Sequence, residues 1–183
     1  MKKYEFTGET KEIRLLFRTA TLHRIRATVA FGIVEVGDLG GWIEKEENLS
    51  HEGKAWVWGN AEVWGNAKVW GNAEVCGDAK VCGDAEVWGN AEVWGNAEVF
   101  SASHVLVIGA IGSRNDFTTF YRDKDNEITV KCGCFLGKID RFLEKVTQTH
   151  GDSKYALVYR AAVEVAKLQI DLSGEAPKDA DEE

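Results

Sequence analysis

A mainly β protein built around a parallel β-helix is the fold this 183-residue sequence predicts, and three observations carry the prediction. Valine recurs every six residues at 57, 63, 69, 75, 81, 87, 93, 99 and 105, with Ile111 in step. Alanine precedes each valine by two from Ala55 to Ala97, and Ser103 and Gly109 continue the small position. Glycine followed by Asn or Asp occupies 59–60, 65–66, 71–72, 77–78, 83–84, 89–90 and 95–96. Side chains of extended backbone alternate faces, so within "AEVW" the Ala and Val share one side while Glu and Trp share the other. Small plus β-branched side chains describe a narrow interior, and Gly with Asn or Asp tolerates the left-handed backbone of a tight corner. Strand and corner in strict alternation make a solenoid.

Residues 1–53 carry no repeat and are expected to cap the first coil. Within them "LHRIRATVAFGIVEVGDLGGWIE" reads as strands joined by the glycine-rich turn at Gly37 to Gly41. Residues 54–114 form the repeat. From about Ala55 to Ile111 it resembles the hexapeptide-repeat proteins, and the resemblance implies a left-handed parallel β-helix of triangular section with three hexapeptides per coil. Residues eighteen apart then stack at roughly 4.8 Å. The first face carries Trp58, Cys76 and Trp94 beside Trp56, Glu74 and Glu92; the second carries Trp64, Cys82 and Phe100 beside Glu62, Lys80 and Glu98. The third carries Trp70, Trp88 and Leu106 beside Lys68, Glu86 and His104. The second ladder alternates in sign, whereas Glu74 and Glu92 repel.

After Ile111 the pattern stops, and 115–172 is a separate C-terminal unit. "FTTFYRDKDNEITVKC" reads as a β-hairpin bent at "DKDN". "IDRFLEKV" places Ile139, Phe142, Leu143 and Val146 on one helical face, and "SKYALVYRAAVEVAKLQI" is a second amphipathic helix. Between them His150, Gly151 and Asp152 supply a stop and an N-cap. Residues 173–183 form an acidic tail expected to be disordered.

The succession "GDLGGWIEKEENLS", hexapeptides, then "KCGCF" and "HGDSKY" resembles a family of small bacteriophage and prophage hexapeptide-repeat proteins to which no activity attaches. The resemblance implies the cytoplasm of an infected bacterium, a homo-oligomer that is a trimer by family habit, and a counter-defence role. Such a protein would inhibit a host defence protein or sequester a nucleotide signal.

Composition narrows the alternatives. The formal charge is −8, of which −5 falls between Asp171 and Glu183, so no clustered basic surface suits DNA. The longest uncharged apolar stretch, "TVAFGIV" at 28–34, is too short for a bilayer, and "MKKYEFTGETKE" is no signal peptide. A soluble cytoplasmic protein with reduced thiols is expected. Cys132, Cys134 and His150 fall short of the four ligands of a closed zinc site, so no metal is expected. Neither cofactor nor catalytic residue is assigned. The enzyme alternative, a hexapeptide-type acyltransferase, would need a histidine base, for which His104 beside Glu86 is the candidate on the rod. A purely structural oligomeric module is the third reading.

The outward tryptophans are the anomaly, because monomers seldom show large apolar patches they do not use. Trp56, Trp58, Trp64, Trp70, Trp88 and Trp94 are therefore the candidate ligand or partner surface. The third face, with aromatics in adjacent coils, is the expected subunit contact. A nucleotide ligand would sit where Lys11, Arg14, Arg18, Arg24 and Arg26 meet Trp56 or Trp58, since phosphates need cations.

Overall fold

The computed structural model describes residues 2–174, so the acidic tail from 175 to 183 lies outside the described residues. The chain opens with a long antiparallel hairpin, β1 (Tyr4–Leu15) and β2 (Arg18–Ala27), followed by β3 (Leu39–Ile43). Eight two-residue strands then mark the solenoid: β4 (Trp56–Val57), β5 (Glu62–Val63), β6 (Lys68–Val69), β7 (Glu74–Val75), β8 (Lys80–Val81), β9 (Glu86–Val87), β10 (Glu92–Val93) and β11 (Glu98–Val99). Each pairs in parallel with the strand eighteen residues away, giving the ladders β4-β7-β10, β5-β8-β11 and β6-β9. These are the three faces expected from the repeat.

Every alanine of the series from Ala55 to Ala97, and every valine from Val57 to Val99, is buried in one continuous core. The seven corner glycines from Gly59 to Gly95 have φ between +60° and +79°, the region that side chains resist. Asparagines bridge the coils outside: Asn60 donates to Asp78 at 3.2 Å, Asn66 to Asp84 at 3.0 Å and Asn72 to Asn90 at 3.1 Å. How tightly the coils stack can be tested at two corners. A Cβ at Gly77 would lie 2.9 Å from the backbone N and O of Gly95, whereas one at Gly59 would meet nothing within 4 Å. Gly59→Ala is expected to cost about 1–2 kcal/mol for the left-handed backbone alone, and Gly77→Ala more. Urea midpoints should fall in the order wild type, Gly59→Ala, Gly77→Ala; equal midpoints would show that the upper coil leaves that corner room.

Both ends of the solenoid depart from the expected boundaries. The first coil begins before the repeat: β3 pairs in parallel with β5 as Trp42↔Glu62, and Leu49 bridges Val69. These offsets are twenty residues, so the hexapeptide spacing does not reveal the coil. At the other end Val105, Leu106 and Ile111 do not continue it. Ser101 stands where a corner glycine is needed, stays extended at φ −146°, and caps a 3-10 turn at Ala102–His104. The chain then leaves as β12 (Val105–Ile111), pairing with β13 (Asp116–Arg122), β14 (Ile128–Cys132) and β15 (Phe135–Lys138) in an antiparallel sheet.

That sheet closes the upper end. Along β13, Tyr121 enters the solenoid core, its hydroxyl donating to Trp94 O at 2.8 Å, while Phe120 points the other way. Phe120 packs with α1 (Ile139–His150) and α2 (Lys154–Gln169) in a second core containing Phe142, Tyr159 and Val163. Gly151 ends α1 at φ +54°, and Ser153 rather than Asp152 takes the N-cap position of α2. Among the described residues no helix is long and apolar enough to cross a membrane.

Candidate binding interface

The outward aromatics have three different fates. On the first face Trp56 is 1% exposed, enclosed by Tyr4, Phe31 and Trp58 at ring distances of 6.2, 5.4 and 6.3 Å. Trp58 is half-buried beside it, and Trp94, also half-buried, lies under the Lys131 ammonium at 4.1 Å. On the second face Trp64 is 3% exposed and packs with Ile13 and Leu22 of the β1-β2 hairpin and with Cys82. Trp56 and Trp64 therefore line no open surface. On these two faces the cover comes from the chain itself.

The third face stays open. Trp70 and Trp88 are 42% and 56% exposed, stacked at 5.4 Å between centroids and 11° between planes. A groove of about 530 Å³ lies above Trp88, walled by Leu106, Val107 and Phe117. Another of about 620 Å³ lies below Trp70, walled by Leu49, His51 and Lys68. Glu86 borders both. Volumes of about 300–1,000 Å³ are usual for ligand pockets. Leu106 thus stands near Trp88 as a groove wall, not as a third rung. Phe117 gave no signal in the sequence, because only the fold-back of β13 onto β12 brings it there.

Three cations of the basic span are neutralised locally. Lys11 pairs with Glu62 at 2.5 Å, Arg18 with Glu44, and Arg26 with Glu5 at 2.5 Å. Arg24 lies over the Trp42 ring at 5.2 Å. Arg26 is therefore occupied, Arg24 rests on Trp42 with its buried Nε meeting no acceptor among the described residues, and the Trp56 they were expected to meet is sealed.

His104 is 2% exposed rather than on the surface beside Glu86. Its Nδ1 accepts from the Phe100 amide at 3.3 Å and its ring meets Phe100 edge-on at 4.2 Å. Burial, reinforced by the Arg122 charge, lowers its pKa, so the imidazole stays neutral inside. The Glu74-Glu92 repulsion is present: burial and then Glu92 raise the Glu74 pKa, and the charge of Lys131, which is ion-paired with Glu92, offsets part of this. Burial pushes the neighbouring Cys76 thiol up to about 12, so it stays protonated. Cys132 accepts from the Thr118 hydroxyl at 3.3 Å and Cys134 is exposed. Among the described residues no three His, Cys, Asp or Glu side chains gather as a metal set.

Fold and site together define a capped β-solenoid presenting one exposed aromatic stack between two grooves. No protein-family model matches the chain, and no curated protein matches it.

Proposed function

We propose that the protein is a non-catalytic binding protein, phage-encoded as its sequence resemblance implies, that inhibits a host defence protein through the third face. The observation that carries this reading is the Trp70-Trp88 stack, left open while Trp56 and Trp64 on the other faces are covered by the same chain. Indole rings in desolvated pockets are the side chains that most often anchor protein interfaces. Inhibition is favoured over nucleotide sequestration because Arg18 and Arg26 are tied to acids and Arg24 lies on Trp42. The acyltransferase alternative is disfavoured because its candidate base, His104, is enclosed.

Native mass spectrometry of the protein purified from bacterial cells tests the proposal. Wild type is expected to carry a stoichiometric protein, and Trp88→Ala to bind it about thirtyfold more weakly, the loss of one hot-spot side chain. A co-purifying nucleotide, or a protein complex indifferent to Trp88→Ala, overturns it.

A homo-oligomeric module is the second reading, favoured by the exposed stripe of Leu157, Val165 and Leu168 on α2. Light scattering of Leu168→Glu should then show a smaller species than wild type.

A further inference from the structure

The geometry points to a more specific partner for the third face: an extended peptide that adds to β9 as one further parallel rung, with a basic residue over Glu86 and an aromatic one over Trp88. The inference rests on the proposed binding function and specifies its partner.

Three observations meet at the same place. The first is an open row of backbone donors. Along β6 the amides of Lys68, Trp70 and Asn72 donate to Ala85, Val87 and Gly89 of the coil above at 3.0, 3.0 and 2.8 Å. One coil higher the equivalent amides of Glu86, Trp88 and Asn90 have no acceptor among the described residues. Elsewhere the corresponding edges are closed in part: Glu92 N–H donates to Thr119 Oγ1 at 3.0 Å and Trp94 N–H to the Tyr121 hydroxyl at 3.4 Å, both on β13, and Phe100 N–H donates to His104 Nδ1 of the 3-10 turn. Amides at alternate residues along one edge are what an added strand pairs with, and such edges are normally blunted or covered.

The second observation is charge. The second face alternates as Glu62, Lys80, Glu98 across successive rungs. The third face begins the opposite alternation with Lys68 and Glu86, and has no third member. A basic side chain directly across from Glu86 completes it, since opposite charges attract in cross-strand positions.

The third is shape. The groove above Trp88 opens beside this edge, with Leu106 and Phe117 as its apolar walls. An aromatic residue two positions beyond the basic one falls over Trp88 and extends the parallel stack. The residue between them turns inward toward Val105 and Val107, which favours a small or β-branched side chain. The sequence so described is that of the rung two coils below, Lys68-Val69-Trp70.

The capped hexapeptide Ala-Lys-Val-Trp-Gly-Asn, copying residues 67–72, is therefore the probe, and Ala-Glu-Val-Trp-Gly-Asn its control. Titration followed by NMR should show the lysine peptide binding about tenfold more tightly than the glutamate one. Exchange of the Glu86 and Trp88 amides should slow on binding. Glu86→Lys should reverse the peptide preference. Equal binding of the two peptides by wild type, absence of binding by the lysine peptide, or binding without amide protection overturns the inference. Capture of a host protein that depends on Trp88, together with failure of both peptides, removes this strand partner while leaving the binding function standing.

Discussion

Trp56→Ala is expected to lower the unfolding free energy by about 3–5 kcal/mol, the usual cost of removing a large aromatic side chain from a core. The ring is 1% exposed and fills the seam between the first coil and the N-terminal cap, touching Tyr4 and Phe31 edge-on. The cap is shaped for it: a Cβ at Gly40 would lie 2.7 Å from Trp56 Cζ2 and 2.5 Å from Ile25 Cγ1. Little can move in to refill the space, because the inner side of the rung is already closed by Val57. Trp88→Ala is the internal comparison. It gives up one exposed stacking contact, worth about 0.5–1.5 kcal/mol, and leaves no enclosed cavity. Urea unfolding followed by circular dichroism should separate the two variants clearly; a Trp56→Ala loss no larger than that of Trp88→Ala would show that the cap does not hold the indole as described.

Asp123→Ala is expected to cost about 2–4 kcal/mol, because the buried Thr129 hydroxyl and two backbone amides lose their acceptor, each such loss costing about 1–3 kcal/mol, while Lys138 keeps Glu127 as a partner. Asp123 is 0% exposed at the bend between β13 and β14. One carboxylate oxygen accepts from the amides of Asp125 and Glu127 at 3.0 and 3.2 Å; the other accepts from the Thr129 hydroxyl and the Lys138 ammonium. Its backbone bridges Ala97, and the next amide, Lys124, donates to Asn96 O at 3.0 Å. The carboxylate thus fixes the bend that ties the C-terminal sheet to the last coil. Asp123→Asn should lose less, because an amide oxygen still accepts while the ion pair with Lys138 is gone. If both variants unfold at the wild-type urea midpoint, the bend is held by its backbone alone.

The solenoid was legible in the amino-acid sequence because its determinants are local. Whether Val63 points inward depends on its own strand, and whether Gly65 can turn the corner depends on its own φ, here +69°. The stacking of Glu62 on Lys80 follows from the length of the repeat once three hexapeptides make a coil. The buried stripe of Ile139, Phe142 and Val146 likewise needs only neighbouring residues.

Which face would remain open was not legible there. Trp64 and Trp88 sit in the same hexapeptide, "AEVWGN", yet one is 3% exposed and the other 56%. The difference lies in Ile13 and Leu22, which cover Trp64 from far along the chain. The long hairpin carrying them has no periodic relation to the repeat. The same holds for His104, enclosed once Ser101 fails to turn the corner, and for Arg26, spent on Glu5 across its own hairpin. Coil, corner and register are set within each six-residue unit, where sterics and side-chain alternation act at short range. The covering of faces one and two, and the open edge at β9, came only from tertiary structure, because they depend on pairings between distant segments that no local pattern encodes.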